Sequence, residues 1–207
     1  MDYTIPAPGI MLFTNVWDDA KDLIEDIEKT TQDPSQVILW KRALVGGGQK
    51  ENTRTSGEKS EARSNSSLYL NSEWANTSNE IMKFAGELCQ KIVRKVDENL
   101  NVYKSQFYPN YNPVPDQMIV LKYQTGQEYK QHVDAGNGNN RIVSMVAYLN
   151  DDYEGGNIEF PYFNYDLKPP ANSMIFFPSN YIYAHIAHPV KEGTKYAIVN
   201  WMTENHG

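Results

Sequence analysis

The chain has 207 residues and a formal net charge of −7. This length suits one domain with a well-buried core, and the negative charge argues against binding nucleic acid or an anionic membrane unaided. Cys89 is the only cysteine, which excludes an internal disulfide, and the N-terminus has neither a basic segment nor a long apolar run. We therefore expect a soluble cytoplasmic protein without a signal peptide or membrane span.

The first half of the chain predicts two helices joined by a polar loop. Apolar residues recur with helical spacing over residues 16–30, with Asn15 and Asp18 as candidate caps, and again over residues 78–99. Residues 46–67 between them are rich in glycine, serine and charge, which predicts a mobile loop. Such a loop is either a surface insertion or a lid over a pocket.

From residue 117 onward the pattern changes to short strands separated by turn-rich stretches. The predicted strands are 117–123, 129–134, 141–149, 156–160, 173–177, 183–188 and 195–202. Their near-regular spacing indicates a double sheet or barrel rather than a parallel α/β layout. We predict an α+β fold, mainly β, with a double-stranded β-helix (jelly-roll) core at 117–207. A helical front at 1–116 would buttress this core within a single domain, 1–207.

An H-x-D pair, His132 and Asp134, is the first candidate for chemistry. Residues i and i+2 of a strand share a face, so this imidazole and this carboxylate can point at one ion. A histidine from a neighbouring strand would complete the two-histidine, one-carboxylate set typical of non-haem Fe(II) oxygenases. His185 and His188 both qualify, but residues three apart on a strand face opposite sides, so only one can serve. His206 is penultimate and is expected at a frayed end.

Several motifs, taken in order, resemble the Fe(II)/2-oxoglutarate-dependent dioxygenases, most closely their prolyl 4-hydroxylase-like branch. The segments are YQTGQEYKQHVD, RIVSMVAYLN, EGGNIEFP and AHIAHPVKEGTKYAIVNW, and the resemblance covers residues 120–201. In this branch a histidine is followed by Pro-Val and then by Gly-x-Lys/Arg-Tyr. The spacing to Pro189 and Lys195 selects His185 over His188. The chain departs from the pattern at 157–158, where Asn-Ile replaces Glu-Thr, and at Ala187, where valine is usual.

The resemblance implies a metal centre and a cosubstrate site. The implied ligands of Fe(II) are His132, Asp134 and His185. The implied cosubstrates are 2-oxoglutarate and O2, with ascorbate as a candidate reductant. Lys195 would pair with the distal carboxylate of 2-oxoglutarate, because a buried carboxylate needs a charged, hydrogen-bonding partner. Related halogenases lack the carboxylate ligand, so Asp134 favours hydroxylation over halogenation.

The resemblance also implies residues of the pocket wall. Tyr123 and Tyr148 stand where tyrosines of the family line the cosubstrate site, although aromatic residues in strands are also ordinary core residues. Tyr129 and Trp201 would shape the pocket. Arg54, in an R-x-S element, is a candidate for the substrate side; the alternative is a solvated loop residue.

The expected reaction is hydroxylation of a C–H bond, with release of succinate and CO2. A prolyl residue in a peptide or protein is the favoured substrate, and this preference follows from the resemblance alone. The same chemistry on a free amino acid or small metabolite stays open. A non-catalytic metal-binding barrel is the alternative outside enzymes. A peptide or protein is the expected partner, nucleic acid and membrane are not, and the oligomeric state is open.

Overall fold

The computed structural model describes residues 2–18, 20–32, 38–43, 62–110, 112–136 and 139–204. Arg54, His206 and residues 46–61 of the predicted loop lie outside this description. The predicted end of the loop, at residue 67, was wrong, because residues 66 and 67 begin a strand that pairs within the main sheet.

The described part of the chain forms two α-helices and fifteen strands. The helices are α1 (Ala20–Thr30) and α2 (Glu80–Phe107). The strands before α2 are β1 (Asp2–Ala7), β2 (Ile10–Thr14), β3 (Lys41–Arg42) and β4 (Ser66–Leu70). Those that follow are β5 (Pro113–Pro115), β6 (Met118–Gln124), β7 (Tyr129–His132), β8 (Arg141–Tyr148), β9 (Glu154–Gly155), β10 (Ile158–Phe160), β11 (Tyr165–Leu167), β12 (Ser173–Pro178), β13 (His185–Ala187), β14 (Val190–Glu192) and β15 (Thr194–Glu204).

Both predicted helices are present, but their ends differ from the prediction. α1 begins later, at Ala20, and α2 continues past the predicted end at residue 99 to Phe107. Asn79 caps α2, because its side-chain oxygen accepts a hydrogen bond from the Met82 backbone N–H at 2.9 Å. The buried residues Leu100 and Tyr103 explain the extension, since they continue the apolar face of the helix.

The strands form two antiparallel sheets that face each other, with a small third sheet. The main sheet has the order β1-β2-β12-β8-β15-β6-β4-β3, with β5 also paired to β15. The minor sheet has the order β11-β10-β13-β7, and β14 pairs with β9. All seven predicted strands are present, and the jelly-roll prediction is confirmed. The prediction that residues 1–116 form a helical front was incomplete, because β1, β2 and β4 belong to the main sheet.

Strand β6 shows how the main sheet divides its side chains between two cores. Met118 and Val120 pack in the cluster that contains the buried residues of α1 and α2. Ile119 and Leu121 pack in the second cluster, with the buried residues of β10 in the minor sheet. This alternation follows from the two-residue period of a strand, and both faces are covered, which explains the continuous apolar run of β6. The second core, between the sheets, contains the candidate site.

A polar contact fixes α1 to the helix-covered face of the main sheet. The carboxylate of Glu28 accepts hydrogen bonds from Lys122 and from the Tyr196 hydroxyl, each at 2.7 Å. Lys122 and Tyr196 are cross-strand neighbours on β6 and β15, so one carboxylate anchors the helix to two strands. None of the helices in the described ranges is long and apolar enough to cross a membrane.

Candidate metal centre

The end of β7 and the start of β13 bring two histidines together. His132 is the last residue of β7 and pairs in register with His185, the first residue of β13. Their ring centroids are 4.2 Å apart. Asp134 lies in the bend after β7, so the premise that it shares a strand with His132 was wrong. The bend is held by a hydrogen bond from the Ala135 N–H to the Ser179 carbonyl at 2.9 Å, and it turns Asp134 toward both histidines.

The three side chains form a compact cluster of ligand atoms. One ligand atom from each of His132, Asp134 and His185 lies within 4.8 Å of the others. Nε2 of His132 is 3.7 Å from Oδ1 of Asp134, and Nε2 of His185 is 3.8 Å from Oδ2. These distances are too long for hydrogen bonds. They suit atoms that share an ion, because ligands about 2.1 Å from one metal lie roughly 3–4 Å apart.

Backbone carbonyls fix which nitrogen of each histidine is available. Nδ1 of His132 is 2.8 Å from the Lys130 carbonyl, and Nδ1 of His185 is 3.1 Å from the Tyr183 carbonyl. A carbonyl only accepts, so Nδ1–H donates and the Nε2 lone pair points into the cluster. Metal-binding histidines are commonly oriented in this way. Tyr129 also stacks on His132, with ring centroids 3.5 Å apart, which holds the imidazole plane.

A buried serine, itself in contact with a second buried serine, holds the carboxylate. Ser144 on β8 donates to Oδ2 of Asp134 at 2.7 Å, and its hydroxyl lies 2.8 Å from that of Ser179. Burial favours a higher pKa for Asp134, but the adjacent His185 and His132 and hydrogen bonds from Ser144 and Trp201 outweigh it and lower the pKa. The carboxylate is therefore ionised at neutral pH.

The protonation of His132 completes a donor set suited to a divalent ion. Burial, reinforced by the adjacent His185, lowers the pKa of His132 to about 3, against the opposite effect of Asp134. His132 is therefore neutral at pH 7 and can donate an electron pair. Two imidazoles and one carboxylate are the donor set of non-haem Fe(II) sites, so these residues fit Fe(II).

The cluster lies in the wall of a cavity of about 740 Å³ between the two sheets. Lys195 lines the same cavity and is only 2% exposed. Its ammonium donates to the Gly156 carbonyl at 2.5 Å and lies 5.1 Å from the ring centroid of Tyr148 and 5.4 Å from that of Tyr123. Burial lowers the pKa of Lys195 to about 7. No carboxylate in the described part of the chain pairs with it, so it can receive one from a ligand.

All four predicted aromatic residues line the cavity. They are Tyr123, Tyr129, Tyr148 and Trp201. Tyr123 is the cross-strand neighbour of Lys195, which explains why both reach the same end of the cavity. His188 does not join the cluster, because its Nε2 lies 2.6 Å from the Glu159 carboxylate on the neighbouring strand.

Two arginines of the cavity wall and two serines beside Asp134 were not predicted from the sequence. They are Arg63, Arg141, Ser144 and Ser179. Two of them had a signal in the sequence, since Arg141 opens the otherwise apolar strand β8 and Ser144 interrupts it. Arg63 precedes β4 and Ser179 follows β12, and only the tertiary fold brings these two residues near the cluster.

A family model described as the 2OG-Fe(II) oxygenase superfamily matches residues 118–203. A protein of Acanthamoeba polyphaga mimivirus assigned as a prolyl 4-hydroxylase is 26% identical, over 60% of this chain and 68% of that protein. Prolyl 4-hydroxylase 13 of Arabidopsis thaliana is 27% identical, over 49% of this chain and 45% of the plant protein. This chain thus spans less than half the length of its plant relative.

Solved structures resemble the whole described fold. A Trichoplax adhaerens prolyl hydroxylase in complex with a peptide fragment of the hypoxia inducible factor oxygen degradation domain superposes with a TM-score of 0.72 and 17% identity. That match covers 95% of this chain and 84% of the other. The viral collagen prolyl hydroxylase of Paramecium Bursaria Chlorella virus-1, in a 2OG complex, gives a TM-score of 0.62 and 20% identity over 94% and 95% of the two chains. At these identities the likeness shows the fold.

Proposed function

Because the chain belongs to the 2OG-Fe(II) oxygenase superfamily and is prolyl hydroxylase-like, we propose that it hydroxylates a prolyl residue of a peptide or protein. The cosubstrates would be 2-oxoglutarate and O2. The products would be succinate, CO2 and the hydroxylated residue. Ascorbate would be a reductant that keeps the metal active. The superfamily expected from the sequence motifs is confirmed. The substrate and the products are part of the proposal.

One arrangement carries the proposal. Three metal-binding donors and a buried lysine without a carboxylate partner share one cavity. Three protein ligands leave further positions on a metal open to a chelating cosubstrate. The lysine then matches the second carboxylate of a dicarboxylate such as 2-oxoglutarate.

The residues of the cluster would hold Fe(II) through Nε2 of His132, the carboxylate of Asp134 and Nε2 of His185. Together with 2-oxoglutarate, bound Fe(II) supplies the oxidative decarboxylation chemistry that activates O2 for insertion into a C–H bond. The protein fixes the donors in advance, since the Lys130 and Tyr183 carbonyls orient the two imidazoles. A donor set that is already oriented loses little freedom when the ion binds.

Lys195 would orient the cosubstrate, and the cavity wall would keep water out. The ammonium would hold the distal carboxylate at the end of the cavity lined by Tyr123 and Tyr148. Apolar side chains from both sheets, including Leu121 and Ile158, line the same cavity. Excluding water strengthens electrostatic contacts and prevents side reactions of activated oxygen.

A peptide substrate is supported by the relatives and by the size of the cavity. The relatives and solved structures carry prolyl hydroxylase names, and one structure contains a peptide. A cavity of about 740 Å³ is within the usual range for small-molecule sites, so a substrate side chain can fit beside a five-carbon dicarboxylate.

The test is product analysis after anaerobic loading with Fe(II) and 2-oxoglutarate. A library of proline-containing peptides is added, oxygen is admitted, and succinate and peptide masses are measured. We expect succinate and a peptide that gains one oxygen atom, both lost in Asp134→Ala and kept in the control His188→Gln. If a free metabolite but no peptide stimulates turnover, the prolyl substrate is wrong. If no succinate forms with any substrate, the proposed activity is wrong.

A further inference from the structure

Two arginines line the cavity at the metal end, far from Lys195. Lys195 and Trp201 are on the same face of β15, six residues apart, which places them about 20 Å apart along the strand. Arg141 stacks on Trp201, with its guanidinium carbon 3.7 Å from the ring centroid. Arg63 lies over Tyr129, the ring that stacks on His132, at 4.8 Å. The cavity thus has one cation at its cosubstrate end and two beside the metal ligands.

Neither arginine has a carboxylate partner within ion-pair distance in the described ranges. Arg63 donates from Nε to the neutral amide oxygen of Asn65 at 2.8 Å. Arg141 reaches only the backbone carbonyl of Asp134, at a long 3.5 Å, and its buried Nε has no hydrogen-bond acceptor. Buried donors are normally satisfied, so the buried Nε–H of Arg141, which has no acceptor, indicates an acceptor supplied by a ligand.

The two guanidiniums act on one region of the cavity. Arg63 lies over the ring of Tyr129 and Arg141 over the ring of Trp201, and all four residues line the cavity that contains the metal ligands. Both positive charges therefore lie beside the wall that Tyr129 and Trp201 form. A ligand group beside Tyr129 would lie near both arginines.

Charge balance indicates which acceptor this is. Asp134 and the two carboxylates of 2-oxoglutarate carry three negative charges, and Fe(II) and Lys195 carry three positive charges. The loaded centre is therefore neutral without the arginines. Asp116 offsets part of the charge of Arg141 without reaching ion-pair distance, so the two guanidiniums leave a net positive charge. The chain as a whole has a net charge of −7, so this local excess is not a general property of its surface.

We propose that the substrate presents a carboxylate to Arg63 and Arg141, close to the carbon that is hydroxylated. This inference rests on the proposed function and narrows its substrate class. Guanidinium groups bind carboxylates through paired, charge-assisted hydrogen bonds, and stacking on Trp201 fixes the plane of one of them. Two sources have this chemistry: an acidic side chain next to proline in a peptide, and the α-carboxylate of a free amino acid.

The test compares substrates that differ only in the carboxylate. Capped peptides with one proline are made in pairs with glutamate or glutamine at each flanking position, and L-proline is compared with L-prolinamide. Wild-type protein should turn over one carboxylate-bearing member with a KM about 10- to 100-fold below that of its amide. Arg63→Gln and Arg141→Gln should remove most of this difference, whereas Arg94→Gln, an exposed arginine on α2, should preserve it.

Each outcome decides the inference. Preference for a glutamate peptide identifies an acidic side chain, and preference for L-proline over its amide identifies an α-carboxylate. Equal turnover of acids and amides by wild-type protein would overturn the inference while succinate and product still support the proposed function. A preference that persists in both arginine variants would also overturn it. If no probe yields succinate, the proposed function fails, and this inference fails with it.

Discussion

Replacement of Lys195 by methionine should stabilise the cosubstrate-free protein and abolish tight cosubstrate binding. Methionine has a similar shape and no charge. Burial lowers the pKa of Lys195 from 10.5 to about 7, and this difference corresponds to roughly 5 kcal/mol against the charged form. Leaving the Gly156 carbonyl without its donor costs about 1–3 kcal/mol in the variant. The net gain is about 2–4 kcal/mol, or a rise in Tm of roughly 5–15 °C for a chain of this size.

The pH dependence of this gain has a definite sign. The unfolded chain holds the lysine proton up to pH 10.5, whereas the folded protein releases it near pH 7. Unfolding therefore binds a proton between these values, so wild-type stability rises with pH across that window. The advantage of Lys195→Met should be full below pH 7 and should vanish or reverse at pH 10, where only about 1 kcal/mol of the penalty remains against the cost of the unpaired Gly156 carbonyl. Lys91→Met, an exposed position on α2, is the control and should show neither effect.

Lys195→Met should weaken cosubstrate binding, although it stabilises the cosubstrate-free protein. In Lys195→Met the distal carboxylate would be buried without a partner, which costs about 3–5 kcal/mol and raises the Kd for 2-oxoglutarate by about 100-fold or more. Differential scanning fluorimetry gives the stability and anaerobic calorimetry with Fe(II) gives the Kd. A variant that is less stable than wild type below pH 7, or that binds 2-oxoglutarate equally well, would refute the reasoning.

Three further predictions concern the same centre. The affinity for 2-oxoglutarate should fall about tenfold per pH unit above pH 7, because neutral Lys195 must first take up a proton. Calorimetry in buffers of different ionisation enthalpy measures this proton uptake. An affinity that stays constant up to pH 9 would contradict the prediction. Ser144→Ala should weaken Fe(II) binding about 10- to 100-fold by releasing the ligand carboxylate, with the equally buried Ser173→Ala as the control in a metal titration. His185→Gln should abolish Fe(II) binding and His188→Gln should not, and equal metal contents would disprove this choice of ligand.

The sequence predicted which three residues form the cluster, but it did not predict the local backbone structure that brings them together. The spacing of His185 to later motif residues identified it, and the pairing of β7 with β13 places it beside His132. The position of Asp134 depends on a bend held by Ser179, which is distant in sequence. Strand periodicity alone could not predict that contact.

The missed elements have physical reasons of their own. β1 is an exposed edge strand containing Pro6, and its side chains do not alternate between buried and exposed, so it lacks the usual strand pattern. β2 is a short apolar run, which periodicity cannot distinguish from a buried helical turn. Arg63 precedes β4 and Arg141 opens β8, and only strand pairing across the sheets brings them to one cavity.

The central claim is that the three-residue cluster and Lys195 form one Fe(II) and 2-oxoglutarate centre. The most direct measurement is an anaerobic titration of the Fe(II)-loaded protein with 2-oxoglutarate, followed by the visible absorption that Fe(II) acquires when a 2-oxo acid chelates it. We predict saturation at one equivalent for wild-type protein, no band for Asp134→Ala, and a requirement for far higher 2-oxoglutarate in Lys195→Met. The absence of a band in wild-type protein, or an undiminished band in Asp134→Ala, would contradict the account.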